Sequence, residues 1–309
     1  MIACSAPGKV ILFGEHAVVF GEPALAVAIN LRTKVRVVTD SKWSVNRGPI
    51  EAEGQRYVKT AIDLSKIESP LKIDVESDIP EGSGMGSSAA VAVATLGALH
   101  NIHGDIDHEK IARMAFEVEH TVQGRASPID TSTSTHGQAI LVLKEKGSNF
   151  LWQMEKDDRR WFLHHREMPV IDLVVGHTGI QAATGPLVAI VKKFVGRDSK
   201  AREMITEIGQ ITLEAVKAIS VKDWETVGRL MDRNHRILTN LGVGHPSLDK
   251  LIDAVKPYAL GAKLTGAGGG GSMIALTERP IDAAKAIESA GGRAFKIRTG
   301  EHGLEVIKQ

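Results

Sequence analysis

The sequence predicts an α+β fold built from two domains, and three observations carry that expectation. The chain has 309 residues, more than one hydrophobic core usually holds. Strand-like and helix-like patterns interleave without a regular βαβ alternation, which argues against a doubly wound sheet. Near Val170 the regime changes, and helical spacing dominates after it. The expected division is 1–168 and 169–309.

In chain order, KVILFGEHAVVFGEPALAVAINLRTKVRVV carries β-branched and apolar runs punctuated by Gly14, Gly21 and Pro23. It reads as strands joined by a tight turn, with Lys9 at the start of the first. A short helix follows near Tyr57–Leu64, then the strand LKIDVESDIP. PEGSGMGSSAAVAVATLGALH (80–100) is a pliable loop running into an all-apolar helix that starts near Ser87. Asp107 is a helix N-cap for HEKIARMAFEVEHTVQ, whose inner face carries Ile111, Met114 or Ala115, Val118 and Val122. QAILVL and NFLWQM are short strands, and SPIDTSTSTHG between them and that helix is a hydroxyl-rich turn segment. The second regime opens with the strand VIDLVVGHTG. It continues through three helices (MITEIGQITLEAVKAI, DWETVGRLMDRNHRILTNLG and PSLDKLIDAVKPYA) and the late strands GSMIALTE, RAFKIRT and GLEVIK.

Composition narrows the function classes. Apolar residues make up 43% and charged residues 24%, and the net charge is +1, so no general bias toward nucleic acid or an anionic membrane is expected. The single cysteine, Cys4, excludes an internal disulfide. No cationic leader is evident and charges break every apolar run before the ~20 residues of a membrane span, so a cytoplasmic protein is expected.

Chemistry is concentrated in two glycine clusters. Glycine loses the most backbone freedom on folding, so the 80–88 loop must hold something. It fails the Walker A pattern because no lysine follows Gly86, and it fails the dinucleotide fingerprint because Ser87 stands where a glycine is needed. Small residues nevertheless let backbone N–H groups converge, and a helix beginning there offers its positive end to an anion. That end contributes only about 0.3–2 kcal/mol toward a charge, so a triphosphate needs a metal and further donors. KLTGAGGGGSM (263–273), between a helix and an apolar strand, reads as a second wall of the same cleft.

PGKVILFGEHAVVFGEPALA, PEGSGMGSSAA and KLTGAGGGGSM, in that order and spacing, resemble the three motifs of the GHMP kinase superfamily over nearly the whole chain. LFGEHAVVFGEPALA together with SPIDTSTSTHG resembles its mevalonate kinase family most closely. The resemblance implies a ribosomal protein S5 domain 2-like N-terminal ATP-binding domain and a ferredoxin-like α/β sandwich at the C-terminal end. It implies Mg²⁺-dependent transfer of the ATP γ-phosphoryl group to the C5 hydroxyl of mevalonate, and a homodimer.

The resemblance also assigns residues. Asp130 becomes the catalytic base and Lys9 its partner, stabilising the alkoxide and the transferring phosphoryl. Taken by themselves, Asp130 reads sooner as a turn cap and Lys9 as a solvated edge residue, and only the resemblance reverses this. Pro80, Gly82, Ser83, Gly84, Met85, Gly86, Ser87, Ser88 and Ala89 become the nucleotide loop. Glu119 sits at the apolar boundary of its helix whereas Glu117 faces solvent, and the resemblance makes Glu119 and Ser88 the Mg²⁺ ligands; a buried salt bridge is the other reading of Glu119. Glu15, His16, Thr265 and Gly266 become mevalonate contacts, with His16 donating a hydrogen bond, although a strand-end histidine is ordinarily a surface group and Thr265 also suits a strand. The segment GPIEAEGQRYVKTAIDLSKI is placed near the adenine. Phosphomevalonate kinase is the alternative activity, and a nucleotide-binding sensor without turnover is the alternative class.

Overall fold

A computed structural model of the chain describes residues 1–104, 106–124, 126–180 and 184–308. The first half contains β1 (Ile2–Phe13), β2 (Ala24–Thr39), β3 (Ser44–Val45), α1 (Arg56–Ser65), β4 (Leu71–Ser77), α2 (Ser87–His100) and α3 (His108–Gln123). It closes with α4 (Pro128–His136), β5 (Ala139–Leu143), β6 (Phe150–Lys156) and β7 (Arg159–Arg166). The second half contains β8 (Asp172–His177), α5 (Thr184–Arg197), α6 (Ser199–Ser220), α7 (Trp224–Asn240) and α8 (Pro246–Val255). It ends with β9 (Gly261–Thr265), β10 (Ser272–Leu276), α9 (Pro280–Ser289), β11 (Arg293–Arg298) and β12 (Glu305–Val306).

The first sheet runs β12-β1-β2-β5-β7-β6, with β4 and β3 attached beyond the far end of β2. β2 is long enough to serve three neighbours: β1 along its length, β5 at residues 24–27 and β4 at residues 33–39. The second sheet is antiparallel with order β11-β8-β10-β9, which is the strand order of a ferredoxin-like sandwich. The 168/169 division falls between β7 and β8, but the chain end crosses back: β12 pairs with β1, and Thr299 and His302 bridge to Ile29 and Gly137.

One core is continuous between the two sheets. Val10, Leu12 and Phe13 of β1 belong to the same buried cluster as Val174, Ile208, Leu238 and Ile274. A second cluster lies between the first sheet and α1–α3. α2 sits inside it almost without an exposed face, which is why its sequence shows no amphipathic stripe.

Several local expectations are corrected. Strand β1 begins at Ile2, so Lys9 lies in its interior, just after a register shift at Pro7/Gly8, and is 4% exposed. The β1–β2 connection is not a tight turn but a ten-residue link containing a 3-10 turn at Ala17–Phe20. SPIDTSTSTHG is not a turn segment but the helix α4. There Thr133 and Thr135 donate to the carbonyls of Ile129 and Thr131, four residues back. These bonds let a hydroxyl-rich helix be fully buried, a compensation that propensity alone does not reveal.

Candidate active site

Two elements far apart in the chain bring the central pair together. Lys9 on β1 lies 3.0 Å from Asp130 in the first turn of α4. Their relative position is fixed nearby, two residues from Lys9 and four from Asp130, where Ser134 of α4 donates to the carbonyl of Pro7 at 2.7 Å. The other side of α4 is held by Trp152, whose indole N–H donates to Ser132 at 3.2 Å. Lys9 is thus almost fully buried while its partner carboxylate is 29% exposed, so the pair opens toward solvent on the aspartate side.

The 80–88 loop lies directly against this lysine. The Lys9 amide donates to Met85 O at 2.9 Å and its ammonium to Gly84 O at 3.3 Å. Gly86 has φ 78°, and a Cβ there would stand 2.9 Å from Lys9 Cγ. Only glycine satisfies both the backbone angle and the approach. Gly86 is also the N-cap of α2, and no side chain caps that end. The first N–H groups of a buried helix are therefore left for an outside acceptor, the arrangement that suits a phosphate.

Beside the loop, Ser88 donates to Glu119 Oε1 at 2.8 Å, and Gln123 donates to the same oxygen at 3.3 Å. Glu119 is 3% exposed, whereas Glu117 pairs with Lys156 at the surface, as the helix face implied. Burial, and then the nearby Asp130 carboxylate, push Glu119 up to about 8, against the pull of Ser88, Lys9 and Gln123. A buried carboxylate next to a serine hydroxyl, with a second carboxylate nearby, is a set of hard oxygens short of positive charge and fits Mg²⁺. Among the described residues no group of three or more His, Cys, Asp or Glu forms a complete cage. Magnesium characteristically takes one or two carboxylates and completes its shell with phosphate and water.

The acceptor side is built by a clasp between the halves. His16, just after β1, has φ 55° and its Nε2–H donates to the carbonyl of Ala267 at 2.8 Å. Burial lowers its pKa, which favours the neutral ring, and Nδ1, buried without a hydrogen-bond partner among the described residues, is then an acceptor. The nitrogen of His16 left open to a ligand is therefore an acceptor, and its one N–H is already given to Ala267. Glu15 is ion-paired through Oε1 with Lys263 of β9, both side chains being at most 1% exposed. Burial pushes Glu15 up and Lys263 down, each opposed by the other's charge. Among the described residues, Glu15 Oε2 has no hydrogen-bond partner. Thr265 donates to Ile11 O at 3.0 Å, and a Cβ on Gly266 would meet open space.

Lys263 was missed as a site residue by sequence reasoning. Its one signal was a lysine in GAKLT, a strand buried at every position. A charge with no solvent-facing side requires an internal counter-ion.

A pH signature follows from the far end of α4. His136 Nε2 lies 2.9 Å from His165 Nδ1, and burial, with His165 and His108 nearby, lowers His136 to about 4. A lowered histidine pKa contributes stability that is complete above its ordinary value and is lost as pH falls through the folded one. Thermal unfolding midpoints are expected to fall as pH drops from about 6.5 toward 4, with a shallower decline in His136→Asn. Parallel curves for the two proteins would contradict this.

The model of the GHMP kinases N terminal domain matches residues 56–138, and that of the GHMP kinases C terminal domain matches residues 213–297. The mevalonate kinase of Pyrococcus furiosus is 37% identical, with the alignment covering 99% of each chain. The chain belongs to the mevalonate kinase family of GHMP kinases. The mevalonate kinase of Thermococcus onnurineus is 35% identical over 99% of this chain and 98% of its own. Among solved structures, Methanococcus jannaschii mevalonate kinase aligns with a TM-score of 0.78 at 27% identity, covering 97% of this chain and 98% of that one. L. major mevalonate kinase in complex with R-mevalonate aligns at 0.82 and 25%, covering 97% and 96%. The expected two-domain GHMP kinase fold is the one observed. Among the described residues, no helix is long and apolar enough to cross a membrane.

Proposed function

We propose that this member of the mevalonate kinase family transfers the γ-phosphoryl group of ATP to the C5 hydroxyl of mevalonate, giving 5-phosphomevalonate and ADP. The observation that carries the reading is the Lys9–Asp130 pair, 3.0 Å apart, with Lys9 packed against the uncapped loop at the start of α2. Phosphoryl transfer needs little covalent chemistry from the protein and depends on positioning and charge neutralisation. The loop 80–89 holds the triphosphate on its backbone N–H groups and on the positive end of α2. Asp130 accepts the C5 hydroxyl proton as the oxygen attacks the γ-phosphorus and the bond to the β-phosphate oxygen breaks. Lys9 offsets the charge on the attacking oxygen and the phosphoryl group.

Ser88 and Glu119 would hold Mg²⁺, which supplies charge neutralisation at the phosphates when bound. On the acceptor side, His16 Nδ1 and Glu15 Oε2, both buried acceptors without partners among the described residues, would accept hydrogen bonds from mevalonate hydroxyls, and Gly266, next to the Ala267 that holds His16, leaves open space. A homodimer and a cytoplasmic location belong to the same reading and rest on the family resemblance.

A coupled ADP-release assay with mevalonate, phosphomevalonate, homoserine and galactose tests the activity. Turnover with mevalonate alone is expected. ADP formed only with phosphomevalonate would reassign the substrate, and none with any acceptor would favour a nucleotide-binding sensor.

A further inference from the structure

The two glycine clusters meet at a single buried hydroxyl. Ser272, the first residue of β10, is 1% exposed and donates to the backbone carbonyl of Ser83 at 2.6 Å. Ser83 lies in the middle of the nucleotide loop, and its own hydroxyl turns back to Pro80 O at 2.6 Å. Because a carbonyl only accepts, the Ser272 proton is committed to Ser83. His177 Nδ1, 3.1 Å from the same Ser272 oxygen, must then be the donor in that contact, which fixes its tautomer. Protonating His177 leaves the Nδ1–H in place, so this aim does not depend on pH.

The register adds a second fact. Ser272 is paired directly with Thr265 on β9 and with His177 on β8. Thr265 donates to Ile11 O, shortly before the Glu15–His16 segment, while Ser272 donates to the nucleotide loop. Neighbouring hydroxyls on one strand pair therefore tie β1 at Ile11 and the nucleotide loop at Ser83 to the second sheet.

We propose that Ser272 is a positioning residue for the nucleotide, with His177 aiming its hydroxyl: the tie holds the 80–86 loop in its phosphate-binding shape before ATP arrives. The inference rests on the proposed role of that loop. Gly82, Gly84 and Gly86 all have positive φ, so the unliganded loop has much freedom to lose. Without the tie, that ordering cost falls on nucleotide binding.

The test compares wild type, Ser272→Ala, Ser272→Thr and His177→Phe in initial-rate kinetics, alongside equilibrium binding of a fluorescent ADP analogue and thermal melts. A hydrogen bond is worth about 0.5–1.5 kcal/mol net, so Ser272→Ala should raise the ATP KM and the analogue Kd by about 2- to 12-fold. Its kcat and mevalonate KM should stay within about 2-fold, because the Ser272 hydroxyl bonds Ser83 and His177 and neither Lys9, Asp130 nor the Glu15–His16 segment. Ser272→Thr should restore ATP affinity, and His177→Phe should shift it in the same direction as Ser272→Ala. Unchanged nucleotide affinity in Ser272→Ala, a loss confined to kcat and melting temperature, or a threonine variant no better than alanine would each overturn the proposal. A wild-type protein that binds no ADP analogue would instead overturn the nucleotide-loop reading, and the proposal with it.

Discussion

Replacing Asp130 by asparagine should lower kcat with mevalonate by about 10²–10⁴-fold, the range for a lost general base. Asparagine matches the shape of the carboxylate but accepts no proton from the attacking alcohol. It also leaves Lys9, 5% exposed, without the counter-charge 3.0 Å away. The nucleotide loop is held by Met85, Gly84 and Ser83 through contacts that do not involve Asp130. The ATP KM should therefore stay within about 3-fold, so that the loss appears in kcat, as expected for an interaction made in the transition state. Steady-state kinetics on the purified variant decide it. A variant within tenfold of wild type would remove Asp130 from the chemistry and leave it a structural partner of Lys9.

Lys263→Met should produce the largest loss of stability. Its ammonium and the Glu15 carboxylate are both withdrawn from water, and removing one leaves the other as an uncompensated buried charge. Such a break costs about 3–5 kcal/mol. Burial already pushes Glu15 upward and Lys263 is its largest restraint, so in the variant Glu15 should take up a proton. Pairing Lys263→Met with Glu15→Leu should recover much of the stability, because an apolar pair of similar volume is often no worse than a buried ion pair. It should not recover activity, since Glu15 Oε2 is one of the acceptors proposed for mevalonate. Urea unfolding of the single and double variants, with mevalonate KM measured alongside, tests both halves. A single variant as stable as wild type would show that the pair is not charged.

The parts of this account that were legible in the sequence are those where local chemistry and tertiary role coincide. Asp107 caps α3 through Lys110 N, as its place before a helical run implied. Ile111, Ala115 and Val118 form its inner face, and Glu119, not Glu117, is the buried acid. The loop before Ser87 announced itself by glycines that no regular element wants.

What was hidden depends on contacts distant in sequence. α4 looked like a turn because its hydroxyls are poor helix formers in isolation, and only burial shows them satisfied by their own helix and by Pro7 and Trp152. Lys9 looked like an edge residue because nothing nearby shows that β1 begins seven residues earlier and that Met85 and Gly84, more than seventy residues away, lie against it. The tautomer of His16 is hidden in the sequence because it is set by Ala267, a residue 251 positions away.

The most direct test of the central claim is a crystal structure with a non-hydrolysable ATP analogue, Mg²⁺ and mevalonate. The account requires the phosphates along residues 80–89 and the C5 hydroxyl within about 2.6–3.2 Å of the Asp130 carboxylate. A nucleotide bound away from that loop, or a C5 hydroxyl on the far side of the cleft from Asp130 and Lys9, would contradict it.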